Sequence, residues 1–393
     1  MNRFGLVKPT GVEIQVMNTS TYSKVCEAAM STPLDSETKS IIDATLLRFV
    51  DEFYDFTERR ERLSANSFDY RRFWPELAEL GVLGMPFTEA QGGLGGCALD
   101  IADAVTRLSK GLVLEPFVEA AVIAGSVLAA GTKAQPRLDK LISGDVIDIL
   151  LGGRLGSEDH LELTHDGSVY RLNGTLKVQP YATQADFWLV AASDAISGQP
   201  IILRLVPDAV DVQMHSYRLL DGRQASDLQF SDVSVDLSSL WLHGSAAAAA
   251  LLRANRLAVS CLCADAVGVM AFLLTETGEY LRTRKQFGVP LGSFQALQHR
   301  YADMQIAYLE SRAITRKLAL SLDIGSPDEQ RWLCFAASSV VERASALVGH
   351  EAIQMHGAMG ATEELVVSHC NSRLVVQMRL LQSWRESDVV ISE

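Results

Sequence analysis

The chain has 393 residues, of which 48% are hydrophobic and 21% charged, and its formal net charge is -13. This length and composition are typical of a globular protein with two or three domains and exclude an intrinsically disordered one. The acidic balance argues against a nucleic-acid-binding function, because such proteins need a basic face to release counterions from phosphates. The six scattered cysteines fit neither a zinc site nor a redox motif. We therefore expect buried, reduced thiols in a cytoplasmic protein and no metal site.

The first third of the chain is predicted to be helical. Residues 1–31 show no clear period, and we interpret them as an N-terminal extension without a secretory signal. Asp35 stands where it can cap the first helix, and Gly81 is placed to end a later one. Four glycines in 91–96 predict a loop. These features predict an N-terminal helical domain over 32–147.

The hydrophobic period changes in the middle third. The Asn-Gly pair at 173–174 separates two short runs of strand-forming residues and predicts a hairpin with a type I′ turn. Residues 187–190 and 201–206 are typical of further strands. The near alternation of apolar residues over 228–235 predicts a strand with a bulge. We predict an antiparallel β-domain over 148–240.

Helices return in the last third. The most apolar run, 257–274, contains Asp265, which favours a buried helix over a membrane span. Apolar residues between Leu333 and Val348 form a stripe at the helical period. The section 241–393 is therefore predicted to be a four-helix bundle. The predicted fold class is α+β and mostly α, with a helical domain, an antiparallel β-domain and a C-terminal helical bundle.

Two segments of the last third are more specific than any period. One reads RKQFGVPL from Arg284 and continues to the pair FQ at 294–295, and the other reads QMHGAMG over 354–360. They resemble the two signature regions of the C-terminal domain of the acyl-CoA dehydrogenase family, and their spacing also fits. Weaker similarity covers about residues 33–375, in that family's order of helical domain, β-domain and bundle.

The resemblance implies an FAD-dependent oxidoreductase that dehydrogenates an acyl-CoA thioester between Cα and Cβ. In that family one subunit's β-domain holds the flavin ring, and the neighbouring subunit's C-terminal bundle holds the pyrophosphate and adenosine. The resemblance assigns the binding of the pyrophosphate and adenosine to these residues of the bundle: Arg284, Gln286, Phe287, Phe294, Gln295, Gln354, Gly357, Ala358 and Gly360. Their chemistry agrees, because arginine pairs bidentately with phosphate and amides bond to ribose oxygens. We interpret His356 as a packed histidine rather than an acid–base group.

The family's catalytic glutamate, which takes the α-proton, has no match in this chain. At one of its two family positions stands Asn255, whose amide cannot accept a proton at neutral pH. The other position falls in 380–384, which contains no carboxylate. Glu386 and Asp388 lie near it, so an alignment gap could supply one of them. Arg256 is a candidate for the substrate side, with a structural salt bridge as the alternative.

The part that should hold the flavin ring also departs from the family. Of the family's Thr-Glu-x-x-x-Gly-Ser-Asp loop, this chain keeps only Gly156 and Ser157 convincingly, and Pro180 removes a backbone donor from the covering strand. The half-site offered to a neighbour is intact. This contrast predicts the non-catalytic subunit of an α2β2 acyl-CoA dehydrogenase, which completes the FAD site of a homologous, glutamate-bearing partner. Some family members built this way act on steroid-derived CoA thioesters, which points to a bulky substrate.

Two alternatives stay open at this point. The chain could form a homotetramer that uses an atypical base, or it could be a flavin-free scaffold with the same fold. The visible spectrum of the protein alone, and after co-expression with a homologue, separates these hypotheses. The residues identify neither the acyl group nor whether an electron-transfer flavoprotein accepts the electrons.

Overall fold

The computed structural model describes residues 34–65, 69–154, 159–166 and 169–390. Several residues named above lie outside this description: the extension over 1–31, Cys26, Gly156, Ser157 and the side chains of Glu386 and Asp388. The described cysteines are free and buried, as predicted.

The first third is helical, as its period predicts. Asp35 caps the first helix, because its Oδ1 accepts hydrogen bonds of 2.9 Å from the N–H groups of Glu37 and Thr38. Gly81 follows a short helix with a φ of 73°, which is the conformation predicted there. A π-helical segment, Phe117–Ala124, leads into the α-helix Gly125–Ala129. The α-helices are α1 (Ser36–Phe53), α2 (Phe56–Ser64), α3 (Trp74–Glu79), α4 (Ala98–Leu108), α5 (Gly125–Ala129) and α6 (Gln135–Ile142).

The middle third is a β-sheet. Its strands are β1 (Asp148–Leu151), β2 (Leu161–Asp166), β3 (Val169–Pro180), β4 (Phe187–Asp194), β5 (Pro200–Leu205), β6 (Gln213–Arg218), β7 (Gln224–Val235) and β8 (Leu240–His243). The order across the sheet is β6-β7-β3-β2-β4-β5-β8, and β1 pairs with β4. Most pairs are antiparallel, as predicted, but β1 and β2 run parallel to β4.

The predicted hairpin at 173–174 is wrong. β3 runs through both residues as one strand, and Asn173 pairs with Glu162 of β2. The antiparallel pair of β2 and β3 closes instead where Asp166 pairs with Val169. The Asn-Gly pair therefore lies within a strand, where its local preference for a turn is overridden by sheet pairing on both sides.

The predicted bulge over 228–235 is confirmed, and it explains Asn173. The register of β3 against β7 shifts between Leu172 and Gly174, and Asp232 in β7 has a φ of 57°. The Oδ1 of Asn173 accepts a 2.7 Å hydrogen bond from the N–H of Asp232. The side chain thus satisfies a donor that the bulge removes from the ladder.

The last third is the helical bundle, and its central helix is α7 (Gly244–Thr283). The bundle is completed by α8 (Gln295–Ile324), α9 (Pro327–His356) and α10 (Val366–Val390), with the short hairpin β9 (Lys285–Gln286) and β10 (Val289–Pro290) between α7 and α8. α7 is apolar enough to span a membrane, but 89% of its most apolar window is buried inside the protein. The prediction of a buried helix over 257–274 is confirmed.

Candidate functional site

The two signature segments meet at one end of the bundle. Arg284 directly follows α7, and the β9–β10 hairpin then leads to Gln295 at the start of α8. α9 ends at His356, whose imidazole stacks on the ring of Tyr280 with 4.3 Å between the centroids. His356 is buried and its Nδ1 lies 2.8 Å from the carbonyl oxygen of Ala352, so the prediction of a packed histidine is confirmed. This stack joins the last turn of α7, which leads into the first segment, to the second segment.

The hairpin holds an aromatic ring outward. Phe287 and Gly288 form its turn with φ values of 53° and 83°, the pair of positive angles that a type I′ turn requires. The side chain of Phe287 is 92% exposed. Its ring meets that of Phe294 edge to face, with 6.4 Å between the centroids. The pair offers an apolar contact surface at the end of the bundle.

Exposed polar side chains lie in the same two segments. They are Arg284, Gln286, Gln295 and Gln354. Within the described parts of the chain, none of the four takes part in a hydrogen bond or an ion pair. A guanidinium and three amides with free donors suit a ligand rich in phosphate and hydroxyl oxygens.

The turn after α9 (Gly357–Ala361) contains two glycines, and each is needed for a different reason. Gly357 has a φ of 64° and a ψ of -145°, and a Cβ added there meets nothing within 4 Å. With Ala358 it leaves exposed backbone that a ligand can approach. Gly360 is buried, and a Cβ there would lie 2.6 Å from the carbonyl oxygen of Ile353. Its missing side chain is needed for packing within the chain, and the close approach to a cofactor stays a prediction.

Asn255, at the expected position of the catalytic base, is engaged within the chain. It is 1% exposed, and its Nδ2 donates a 3.0 Å hydrogen bond to the carbonyl oxygen of Gly153, which follows β1. Its Oδ1 has no hydrogen-bond partner among the described residues. The amide therefore ties α7 to the loop in which the family holds the flavin ring.

Arg154 crosses the same region. Its guanidinium donates to Ser383 of α10, to Asp159 at 3.1 Å and to the carbonyl oxygen of Lys177 at 2.8 Å. The side chain thus links the loop after β1, β3 and the last helix. An arginine with three anchors is held firmly, because each bond restricts its long side chain further.

β3 bulges where it should cover the flavin ring. Val178 has a φ of 50°, which a β-branched residue rarely adopts, and the register against β7 shifts there. Gln179 is buried by this twist, and its Oε1 accepts a 3.0 Å hydrogen bond from the N–H of Gly152. The cavity left between these elements, here called the ring-side cavity, measures about 50 Å³. Pockets for organic ligands commonly span about 300–1,000 Å³.

A buried cluster of charges lies further inside, around an inner cavity of about 30 Å³. Arg373 of α10 makes two 2.9 Å hydrogen bonds to Asp265 of α7 and one of 3.2 Å to Asp221. Arg223 pairs with Asp221 at 2.6 Å and with Glu119 at 3.7 Å. Burial alone would raise the pKa of Asp265, but the charge and hydrogen bonds of Arg373 hold it below its usual range. The cluster joins the N-terminal helices, the sheet and the bundle.

Sequence reasoning missed this cluster. Its one signal was Asp265 in the apolar run 257–274, since a carboxylate buried among apolar residues requires a cation. The chain contains many arginines, and their spacing does not reveal that Arg373 is the partner. Glu119 was missed as well; it lines both the inner and the ring-side cavity, and burial raises its pKa although the charge of Arg223 opposes this.

Arg256, the candidate for the substrate side, makes its contacts within the bundle. Its guanidinium donates to Gln330 Oε1 and, at 3.2 Å, to the carbonyl oxygen of Pro327 in the first turn of α9. It lines neither of the two cavities described above. The alternative of a salt bridge is not found among the described residues, since neutral oxygens accept the hydrogen bonds of this guanidinium.

Comparison with known proteins agrees with this geometry. Residues 36–145 match the family model of the acyl-CoA dehydrogenase N-terminal domain, and residues 243–385 match that of the C-terminal domain. Together the two models cover more than half of the chain. Acyl-CoA dehydrogenase FadE27 of Mycobacterium tuberculosis is 30% identical over 239 residues, 59% of this chain and 62% of that protein.

Solved structures share the fold. A chain of the ChsE4-ChsE5 complex from Mycobacterium tuberculosis matches with a TM-score of 0.78 and 23% identity, covering 91% of this chain and 96% of that one. A glutaryl-CoA dehydrogenase from Mycobacterium smegmatis, solved with FADH2, matches with a TM-score of 0.76 and 20% identity, covering 88% and 92%.

Proposed function

Because this chain belongs to the acyl-CoA dehydrogenase family, whose members are oxidoreductases acting on CH–CH groups, we propose that it is the non-catalytic subunit of an FAD-dependent acyl-CoA dehydrogenase. The catalytic glutamate and the ring-binding loop come from a homologous partner in an α2β2 assembly. FAD, when bound, supplies the hydride acceptor for dehydrogenation between Cα and Cβ of the thioester.

The observation that carries the proposal is the contrast between the two halves of the FAD site. At the end of the bundle, Arg284, Gln286, Gln295 and Gln354 are exposed with unused donors, next to the outward ring of Phe287. In the ring-side region, Asn255 and Arg154 use their donors on the chain itself. The first half suits a cofactor held jointly with a neighbour, and the second does not.

In this arrangement each residue at the bundle end has a role toward the adenosine diphosphate part of FAD. Arg284 pairs with phosphate oxygens through its planar fork. The amides of Gln286, Gln295 and Gln354 bond to phosphate or ribose oxygens. Phe287 and Phe294 pack on the adenine side, and the backbone of Gly357 and Ala358 lies alongside the cofactor.

The remaining assignments follow from the same role. The substrate is an acyl-CoA bound by the partner, and the similarity to a chain of the two-component ChsE4-ChsE5 complex supports a heteromeric assembly. The bulky, steroid-type acyl group is what the family resemblance implies. An electron-transfer flavoprotein is the acceptor that the family implies. The buried, free cysteines of the described residues suit the reducing cytoplasm.

The test is the FAD content of the co-expressed complex. The Arg284→Ala variant, purified with its glutamate-bearing homologue, should retain several-fold less FAD per complex than the unaltered protein. The matched control is Arg331→Ala, an exposed arginine near the start of α9 that lies within 3.6 Å of Asp328. Unchanged FAD occupancy in Arg284→Ala contradicts the proposal.

One observation favours a second candidate, the homotetramer with an atypical base. Glu119 lines both the inner and the ring-side cavity, and its π-helical segment is of a kind that recurs at functional sites. A carboxyl with a raised pKa can act as a general base or acid. Under this reading the singly expressed protein is yellow and reduces a dye with an acyl-CoA, and Glu119→Gln abolishes that activity. A flavin-free scaffold, in contrast, predicts no FAD in any complex.

A further inference from the structure

A separate cavity of about 240 Å³ lies between α4, α7 and α8, and is here called the basic cavity. It shares no lining residue with the inner or the ring-side cavity. On its α4 side, Thr106 approaches α7 so closely that its Oγ1 donates to the carbonyl oxygen of Ala264 at 3.2 Å. α8 covers the other side with Tyr308 and Arg312. The cavity therefore joins the N-terminal helices to the bundle.

Its walls are positively charged, although the chain as a whole is acidic. Arg107, Lys110, Arg312 and Arg316 line it together with one acid, Asp103. Arg316 is paired with Asp103 at 2.8 Å. Arg107 is paired with Asp43 through two hydrogen bonds of 3.1 and 2.9 Å.

The other two cations are not neutralised. The side chains of Lys110 and Arg312 make no hydrogen bond or ion pair with any residue that the structure describes. Two unpaired cations beside one cavity attract anions, and local charge of this kind can oppose the sign of the whole protein.

A buried hydroxyl lines the same cavity. Thr315 of α8 is 4% exposed, and its Oγ1 finds no partner among the described residues. A threonine hydroxyl within a helix can bond to the carbonyl oxygen four residues before it, and this one does not. Leaving a buried hydroxyl unpaired is unfavourable, so such a group is a natural point of contact for a ligand.

From these observations we propose that the basic cavity binds a phosphate group, either as inorganic phosphate or as the end of a phosphate monoester. Arg312 supplies a planar pair of donors and Lys110 a compact charge, and both are common phosphate ligands. Thr315 adds a neutral donor. Tyr308 provides a ring against which the organic part of a monoester packs.

Binding has a structural consequence. Lys110 follows α4 of the N-terminal region, whereas Arg312 and Thr315 belong to α8 of the bundle. A dianion held by all three joins the two regions, and a ligand that binds only the folded state stabilises it in proportion to its occupancy. The site is separate from the proposed FAD half-site, so it does not depend on the function proposed above.

The experiment is thermal unfolding of the full chain, titrated with sodium phosphate at constant ionic strength. We expect a saturable rise in Tm that sodium chloride does not produce. Lys110→Ala and Arg312→Ala should each weaken the apparent phosphate affinity at least ten-fold. The control Arg331→Ala, another exposed cation of the bundle, should leave it unchanged. A rise that is equal in all four proteins, or absent, overturns the proposal.

Thr315→Val gives a sharper test, because the two side chains have nearly the same shape. Removing an unpaired buried hydroxyl should keep or raise Tm without phosphate, while the phosphate-dependent rise becomes smaller. Loss of stability without phosphate, with an unaltered phosphate response, counts against the site. Glycerol phosphate in place of inorganic phosphate separates the two sources: tighter binding of the monoester identifies an esterified ligand.

Discussion

The side-chain amide of Asn255 donates a 3.0 Å hydrogen bond to the carbonyl oxygen of Gly153. A glutamate at the same position has no proton to offer that carbonyl when it is ionised. The bond depends on the amide that stands at the expected position of the base, and it fixes the loop after β1 against α7. Under the proposed function, one contact links the replacement of the base with the closure of the ring-side region.

Restoring the carboxylate should not restore catalysis. In Asn255→Glu the carboxylate faces the oxygen of Gly153, while Arg154 still crosses the ring-side region to Ser383 and Lys177. We expect no acyl-CoA-dependent dye reduction by the singly expressed variant. The free energy of unfolding should fall by more than the about 1–3 kcal/mol of a lost buried hydrogen bond, because the variant also buries a carboxylate without a partner.

Asn255→Asp and Asn255→Ala serve as comparisons for this variant. The alanine removes the hydrogen bond without adding a charge, so it should lose less stability than either acid. Chemical denaturation and a dye-reduction assay measure both effects. Activity in Asn255→Glu without further changes would show that the ring-side region is open after all.

The buried ion cluster should be a main source of stability. Arg373→Met leaves Asp265 and Asp221 without their shared cation, and breaking a buried pair in this way costs about 3–5 kcal/mol. Arg379→Met, on an exposed face of the same helix, should change the free energy of unfolding by less than about 0.5 kcal/mol. Adding Asp265→Leu to Arg373→Met should recover part of the loss, since no buried charge then remains at that position.

Local sequence was enough to predict most elements of the fold. The cap at Asp35, the ending at Gly81 and the buried helix over 257–274 each depend on neighbouring residues, and each prediction is confirmed. The hairpin at 173–174 failed because the Asn-Gly preference is local, whereas the pairing of β3 with β2 and β7 is not. There the side chain of Asn173 serves a bulge in a distant strand.

The candidate site shows the same difference between what local sequence predicts and what depends on distant residues. The residues at the bundle end stand in two contiguous motifs, so the sequence alone singles them out. The contacts that close the ring-side region join distant positions; Arg154 and Ser383 are 229 residues apart in the chain. No spacing rule connects such partners, and only the folded chain brings them together.

Tight packing between α4 and α7 yields a further prediction. A Cβ added to Gly268 would lie 1.9 Å from Ser109 Oγ and 2.5 Å from the carbonyl oxygen of Thr106. Gly268→Ala should therefore destabilise the protein by about 1–3 kcal/mol through overpacking. This loss should appear although alanine favours a helix over glycine by about 0.5–1 kcal/mol. Ala246→Gly, at an exposed position of α7, calibrates that preference; a stabilised Gly268→Ala contradicts the close packing.

The pH dependence of stability should reveal the raised pKa of Glu115. This residue is 5% exposed and accepts a hydrogen bond from the Tyr54 hydroxyl, and burial raises its pKa from 4.5 to about 8. Between these values the folded state holds a proton that the unfolded state has lost. Stability should therefore fall as the pH rises through this window, by roughly 1 kcal/mol for each pH unit.

Glu115→Gln removes this proton from the balance and keeps an acceptor for Tyr54. The free energy of unfolding is measured by urea denaturation near pH 4.5 and near pH 8. The decrease between these two pH values should be smaller in the variant than in the unaltered protein. A residual slope of the same sign should remain, because burial also raises the pKa of Glu119. Glu89→Gln, at an exposed position, should behave like the unaltered protein. If Glu115→Gln and Glu89→Gln give the same pH profile, Glu115 is ionised in the folded state and its burial does not control its charge.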